Sequence, residues 1–214
     1  MSDARIEGGR GGLERLRVLL REGGGLMASL VASAVRVEAD PVAGPGVDRA
    51  AVAGAAPADA PTSAIARGDG HASPALLAAE GPRTLAQREE YELLVEAIYE
   101  GYLLHYGEPR VVHVPEADLR LLAGDQLYAI GLARLVELGD TVAVAELADT
   151  ITLSALAQGG GEAELADAIW TAGARAVGWG ASEAHGRVKD LVFAGDPTAI
   201  EAMRTIACAV PAPP

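Results

Sequence analysis

The sequence predicts an all-α protein: an antiparallel bundle of about six helices behind a disordered N-terminal extension. Three observations carry that expectation. Half of the 214 residues are apolar, but they are mostly Ala, Val and Leu with only 4% aromatics, a composition suited to close-packed helices rather than strands. Helix start and stop signals recur at regular intervals from Thr84 onward. The connections between them are short, which makes sequential helices antiparallel neighbours.

Residues 11–22 place Leu13, Leu16, Leu19 and Leu20 on one side of a short amphipathic helix, which Gly23, Gly24 and Gly25 interrupt. Residues 1–40 are read as this short helical or flexible segment. From 41 to 82, Ala, Gly and Pro dominate and six of the twelve prolines occur. Such a stretch predicts a disordered linker, with the domain boundary near Pro82. The helical bundle domain is expected over 83–214. Thr84 with Gln87 reads as a capping box opening a helix to 106, where Gly107 stops it. Pro115 opens a second helix to Leu138, with Gly139 as a left-handed terminator. Asp140 caps a third helix, which Gly159 to Gly161 end. A fourth runs from about Glu162 to Val177, and a fifth from Ser182 to Gly195. Asp196, followed by Pro197 at the first helical position, opens the last, to about Val210.

Charge narrows the function classes. The formal net charge is −13. Residues 1–82 hold ten acids and eight bases, and residues 83–214 hold twenty acids and nine bases, so the acidity belongs to the bundle. An acidic surface with no basic stripe excludes nucleic acid as a partner. The apolar run Leu26 to Val35 is too short to span a bilayer and follows acids rather than a basic leader, so no integral membrane segment is expected. Cys208 is the single cysteine, which suits a reducing, cytoplasmic setting.

The candidate residues are few. Tyr91, Tyr99, Tyr102 and Tyr106 fall within an arc of about 80° on the first bundle helix. They read either as a core face whose hydroxyls reach the rim or as a pocket wall. His105 and His113 are separated by a Gly-Glu-Pro break, and no HExxH string or second cysteine exists, so neither a metal site nor a cofactor is expected. Gly124 and Asp125 sit inside a helix rich in Leu and Ala, with Gly131 one heptad on and Tyr128 between. Close helix approach is one reading of the glycines, and an inherited functional helix is the other.

From Leu103 the chain reads LLHYGEPRVVHVPEADLRLLAGDQLYAIGLARL. This resembles the trans-polyprenyl diphosphate synthases of the isoprenoid synthase fold, in which LLHDD is followed by RRGxP and then by LAGD. Leu103, Leu104 and His105 match the first string, Gly107 and Pro109 the second, and Leu122 to Asp125 the third. The family's first DDxxD would lie between His105 and Gly107, where only Tyr106 stands. None of the twelve aspartates is adjacent to another, so the second motif is missing as well. In that family the aspartates hold Mg²⁺ against a departing diphosphate, and the resemblance therefore implies that ionisation chemistry is lost. It covers roughly residues 85–160 and is similar to the non-catalytic small subunits of two-component synthases.

The function expected from the resemblance is that of a non-catalytic accessory subunit without catalytic residues. Its partner would be a catalytic prenyl synthase subunit, or a second copy in a homodimer formed through helical faces. The alternative is a free-standing helical module that binds protein or a lipid or prenyl ligand, and an enzyme of unrecognised chemistry stands third. Tyr91, Tyr99, Tyr102, Tyr106, His105, Gly124, Asp125 and Tyr128 are the candidate pocket or interface residues.

Overall fold

The computed structural model describes residues 2–38 and 73–209, with side chains placed for 11–31 and 73–209. Among the described residues the secondary structure is entirely helical. The helices are α1 (Ser2–Glu22), α2 (Gly25–Glu38), α3 (Pro74–Ala79), α4 (Arg88–Tyr106), α5 (Ala117–Glu137), α6 (Thr141–Gly159), α7 (Ala163–Trp179), α8 (Glu183–Phe193) and α9 (Ala199–Cys208). The all-α expectation holds, and six of these helices lie beyond Pro82. No helix among the described residues is long and apolar enough to cross a membrane.

Helix α4 is the axis of the molecule. Every residue from Tyr91 to Leu104 is buried, so it is covered on all sides rather than along one stripe. Helix α5 packs along it, α3 and α1 cover further faces, and α7 reaches the bundle through α3, α6 and α9. One apolar cluster joins α3, α4, α6 and α7 around Trp170. A second joins Leu16, Leu20, Met27 and Val31 of the α1–α2 hairpin to Leu93, Ala97 and Leu104 of α4. A third ties α6 and α7 to α8 and α9 through Leu153, Ile169, Val188 and Met203. Each fully buried Leu, Ile or Val side chain contributes roughly 1.5–3 kcal/mol and each buried Ala methyl about 0.8 kcal/mol, so a core of small residues must rest on many of them.

Local chemistry explains the boundaries. Gly139 at φ 76° and Gly161 at φ 77° take the left-handed conformation that ends α5 and α6 at low steric cost. Asp140 caps α6 by accepting from the Ala143 amide at 3.0 Å, and Ser182 caps α8 by accepting from the His185 amide at 3.1 Å.

Three expectations change. The stretch expected to be linker, 41–82, lies outside the described residues up to 72, but 73–82 is helix and core. Ser73 caps α3, Ala75, Ala78 and Ala79 are fully buried, and the Gly81 Cα meets the backbone of Gly178 so closely that neither residue has room for a Cβ. Small residues that look like linker are there because backbones touch. The bundle therefore starts before Pro82. Second, Thr84 forms no capping box. Its hydroxyl donates to the Ala78 carbonyl at 2.6 Å and to Gly81 at 3.1 Å, a 3-10 turn spans Leu85–Gln87, and α4 starts at Arg88. Third, Thr198 rather than Asp196 occupies the cap position of α9. Asp196 instead accepts from the Thr198 amide at 2.8 Å and its hydroxyl at 2.6 Å. The expected end of that helix at Val210 lies outside the described residues.

Candidate functional site

The tyrosine arc of α4 divides. Tyr91 stands apart, donating to Asp140 Oδ2 at 2.7 Å. Burial and then that acceptor push its hydroxyl up to about 12. Burial alone would raise the Asp140 carboxyl, but the Ala143 amide, the Tyr91 hydroxyl and Arg83 together hold it below the ordinary value. This end of the arc is a structural joint between α4 and the α5–α6 turn.

Tyr99 and Tyr102 face the interior. Trp170, fully buried on α7, meets Tyr99 edge-on at 4.9 Å between centroids and Tyr102 at 5.1 Å. Burial pushes the Tyr102 hydroxyl up to about 12, and it accepts from Gln158 Nε2 at 2.6 Å. Burial likewise raises Tyr99, over which the Arg110 guanidinium lies at 5.0 Å. From Tyr102 the rings continue outward: Tyr106 at 5.5 Å, then His105, then Tyr128 on α5, which stacks on the imidazole at 5.4 Å and 4°. The aromatic run thus leads from the core to the surface.

There the C-terminus of α4 and the start of α5 form an open cleft of about 570 Å³. Leu104, Val114, Pro115 and Leu121 give it an apolar floor, and His105 and Tyr106 form a wall. Glu108, Arg120 and Gln158 are its polar members. Arg120 is occupied: it donates to the carbonyls of Leu104 at 2.6 Å, Leu103 at 3.2 Å, and Gly107. It thereby satisfies the orphan carbonyls at the end of α4, where Gly107 is extended rather than left-handed. Asp125 is exposed, with Oδ1 at 3.1 Å from His105 Nε2.

The glycines are explained by packing. A Cβ on Gly124 would lie 2.6 Å from the His105 ring, and one on Gly101 would lie 2.9 Å from the Gly124 carbonyl oxygen. A Cβ on Gly131 would overlap Ile98 and approach the Leu94 carbonyl oxygen to 2.9 Å. Close approach of α4 and α5 needs all three. Of the eight candidates, then, His105, Tyr106, Gly124, Asp125 and Tyr128 gather beside the cleft. Tyr99 and Tyr102 lie in the core beneath, and Tyr91 is at the far end.

Two buried charge clusters escaped the sequence reading. Glu92, Glu96 and Glu100 recur at helical spacing along α4 and are all buried. Arg15 reaches Glu92 at 2.5 Å from α1, and Arg110 pairs with both Glu96 and Glu100. Glu100 Oε1 also accepts from the amides of Arg110, Val111 and Val112 at 2.7, 2.6 and 3.2 Å, fixing the loop that forms one side of the cleft. Burial raises the Glu96 carboxyl above its ordinary value despite Arg110. Elsewhere Lys189, the only lysine, bridges Glu146 at 2.7 Å and Asp149 at 2.9 Å between α8 and α6, with His185 at 4.0 Å from Glu146. The i, i+4 spacing of the three glutamates was a readable cue, but their partners come from distant loops. Among the described residues no three His, Cys, Asp or Glu side chains converge as metal ligands.

Compared with protein-family models, curated proteins and solved structures, the chain matches none. The described residues thus form an all-α bundle with an open, largely apolar cleft at the α4–α5 end.

Proposed function

We propose that the chain is a non-catalytic, isoprenoid-synthase-like helical protein that serves as an accessory subunit of a polyprenyl diphosphate synthase. The observation that carries this reading is the filling of the tyrosine face. Where a prenyl-transfer enzyme needs room for a growing chain, Trp170 packs against Tyr99 and Tyr102. At the point where the resembling family places its first aspartates, this chain has an aromatic stack, with Asp125 beside the His105 ring. Among the described residues that line the cleft Glu108 is the single carboxylate, and one acid does not replace two facing clusters around Mg²⁺. What this chain offers is a surface.

The direct test incubates the purified chain with an allylic diphosphate, isopentenyl diphosphate and Mg²⁺, alone and with a catalytic prenyl synthase from the same cells. No product from the chain alone, and a changed product length from the mixture, are expected. Turnover by the chain alone would overturn the reading. The apolar floor of the cleft favours a second reading, a free-standing module that takes a lipid or prenyl ligand there.

A further inference from the structure

We propose that the cleft between the end of α4 and the start of α5 is the docking site for a cationic amphipathic helix of a partner protein. The proposal rests on the partner-dependent reading above and adds the chemistry of the partner. The lining is largely apolar, and two of its large groups stand open: Tyr106 is 38% exposed and Leu121 46%, with Leu122, next in sequence, 62% exposed. A volume of about 570 Å³ with an open mouth accommodates a few anchoring side chains of a helix laid across it, the helix-in-groove mode of recognition.

Charge selects the occupant. Glu108 lines the cleft, Glu116 and Asp118 flank its lining residues Pro115 and Ala117, and Asp125 lies one turn beyond Leu121 on the same helix face. All four acids are exposed. Of the two arginines of this stretch, Arg110 is half-buried and paired with Glu96 and Glu100, and Arg120 donates to three backbone carbonyls and leaves one positive charge against four acids. The rim is therefore net negative. That repels a diphosphate or an anionic lipid surface, and it repels a second copy of the same face, because an isologous contact would bring acid onto acid. A helix with Leu-like anchors and Lys or Arg on its flanks meets both features.

The test uses the full chain and two fluorescent helical peptides of roughly 18 residues, alike in their leucines but carrying Lys in one and Glu in the other. The Lys peptide is expected to bind and the Glu peptide not to. Leu121→Asp, and separately Glu108→Lys with Asp118→Lys, should each weaken binding on the order of tenfold. The control with equal charge change, Glu183→Lys with Asp190→Lys on α8, should leave it within about twofold. All of these sites are exposed, and helicity by circular dichroism checks that the variants fold. Equal losses in the two double variants, or binding of both peptides alike, would overturn the proposal. Displacement of the Lys peptide by farnesyl diphosphate would also overturn it and assign the cleft to a prenyl ligand. Neither peptide carries synthase sequence, so this outcome is independent of whether a synthase is the natural partner.

Discussion

The backbone of Gly124 lies directly under the imidazole of His105: a methyl group built on its Cα would sit 2.6 Å from both Cδ2 and Nε2 of the ring. That contact sets how closely α5 approaches α4. It also fixes the ring that joins the aromatic stack to the wall of the cleft.

Alanine replacements at three glycines should therefore differ in sign. Gly186, with nothing within 4 Å of an added Cβ, should gain up to about 1 kcal/mol from helix propensity. Gly124→Ala forces the His105 ring aside and should lose about 1–3 kcal/mol to overpacking. Gly131→Ala should lose more, because the Leu94 carbonyl at 2.9 Å is backbone and cannot rotate away. Urea midpoints of the three variants check the order.

Glu100 holds three amides of the 110–112 loop, and its removal leaves them buried without a partner. Glu100→Ala should cost at least about 3 kcal/mol. Glu100→Gln, which keeps an acceptor, should cost less. Hydrogen exchange at the Val111 and Val112 amides reads the effect locally: protection there should fall before that of α7 does.

The α6–α8 cluster predicts a pH dependence. Burial lowers the His185 pKa below 6.5, with Lys189 acting in the same direction and Glu146 and Asp149 against it. The folded state thus favours neutral His185, and its contribution is fully present above the unfolded value and is lost as pH falls below it. Burial raises Glu92 and Glu96 above 4.5, so their contribution has the opposite sign and is lost as pH rises from that value. Comparing unfolding midpoints of wild type and His185→Gln at about pH 7 and about pH 5.5 cancels the glutamates. The wild type should lose more stability than the variant over that interval, and equal losses would count against the assignment.

Leu16 of α1 is fully buried in the cluster shared with α4. Leu16→Ala should lower stability by about 2–5 kcal/mol and increase amide exchange in α1 first. An unchanged unfolding midpoint would mean that the hairpin contributes little to the bundle.

The bundle was legible because its punctuation is local. Asp140, Ser182, Gly139 and Gly161 each act within a few residues, and each does what its type predicts. Helix α3 was not legible, because an Ala- and Pro-rich segment earns its helix from tertiary burial of Ala75, Ala78 and Ala79 rather than from propensity. Thr84 misled for a related reason: the Ala78 carbonyl, reached only through the fold, outcompetes the cap. The tyrosine arc left core face and pocket wall both open, and the ring that places Tyr99 and Tyr102 in the core, Trp170, lies 68 positions beyond Tyr102 in the sequence. Glu96 and Glu100 were invisible as buried groups, because acids on a helix ordinarily face water and Arg110 lies on a loop whose course the sequence does not encode locally.

A chain that works through a partner, as proposed above, is isolated together with it, so the mass of the assembly it forms is the most direct test. The tagged full chain, purified under native conditions from the cells that make it, should be recovered in a heteromeric complex containing a prenyl synthase, seen by native mass spectrometry. Recovery of the chain only as a free monomer would rule out the accessory-subunit proposal.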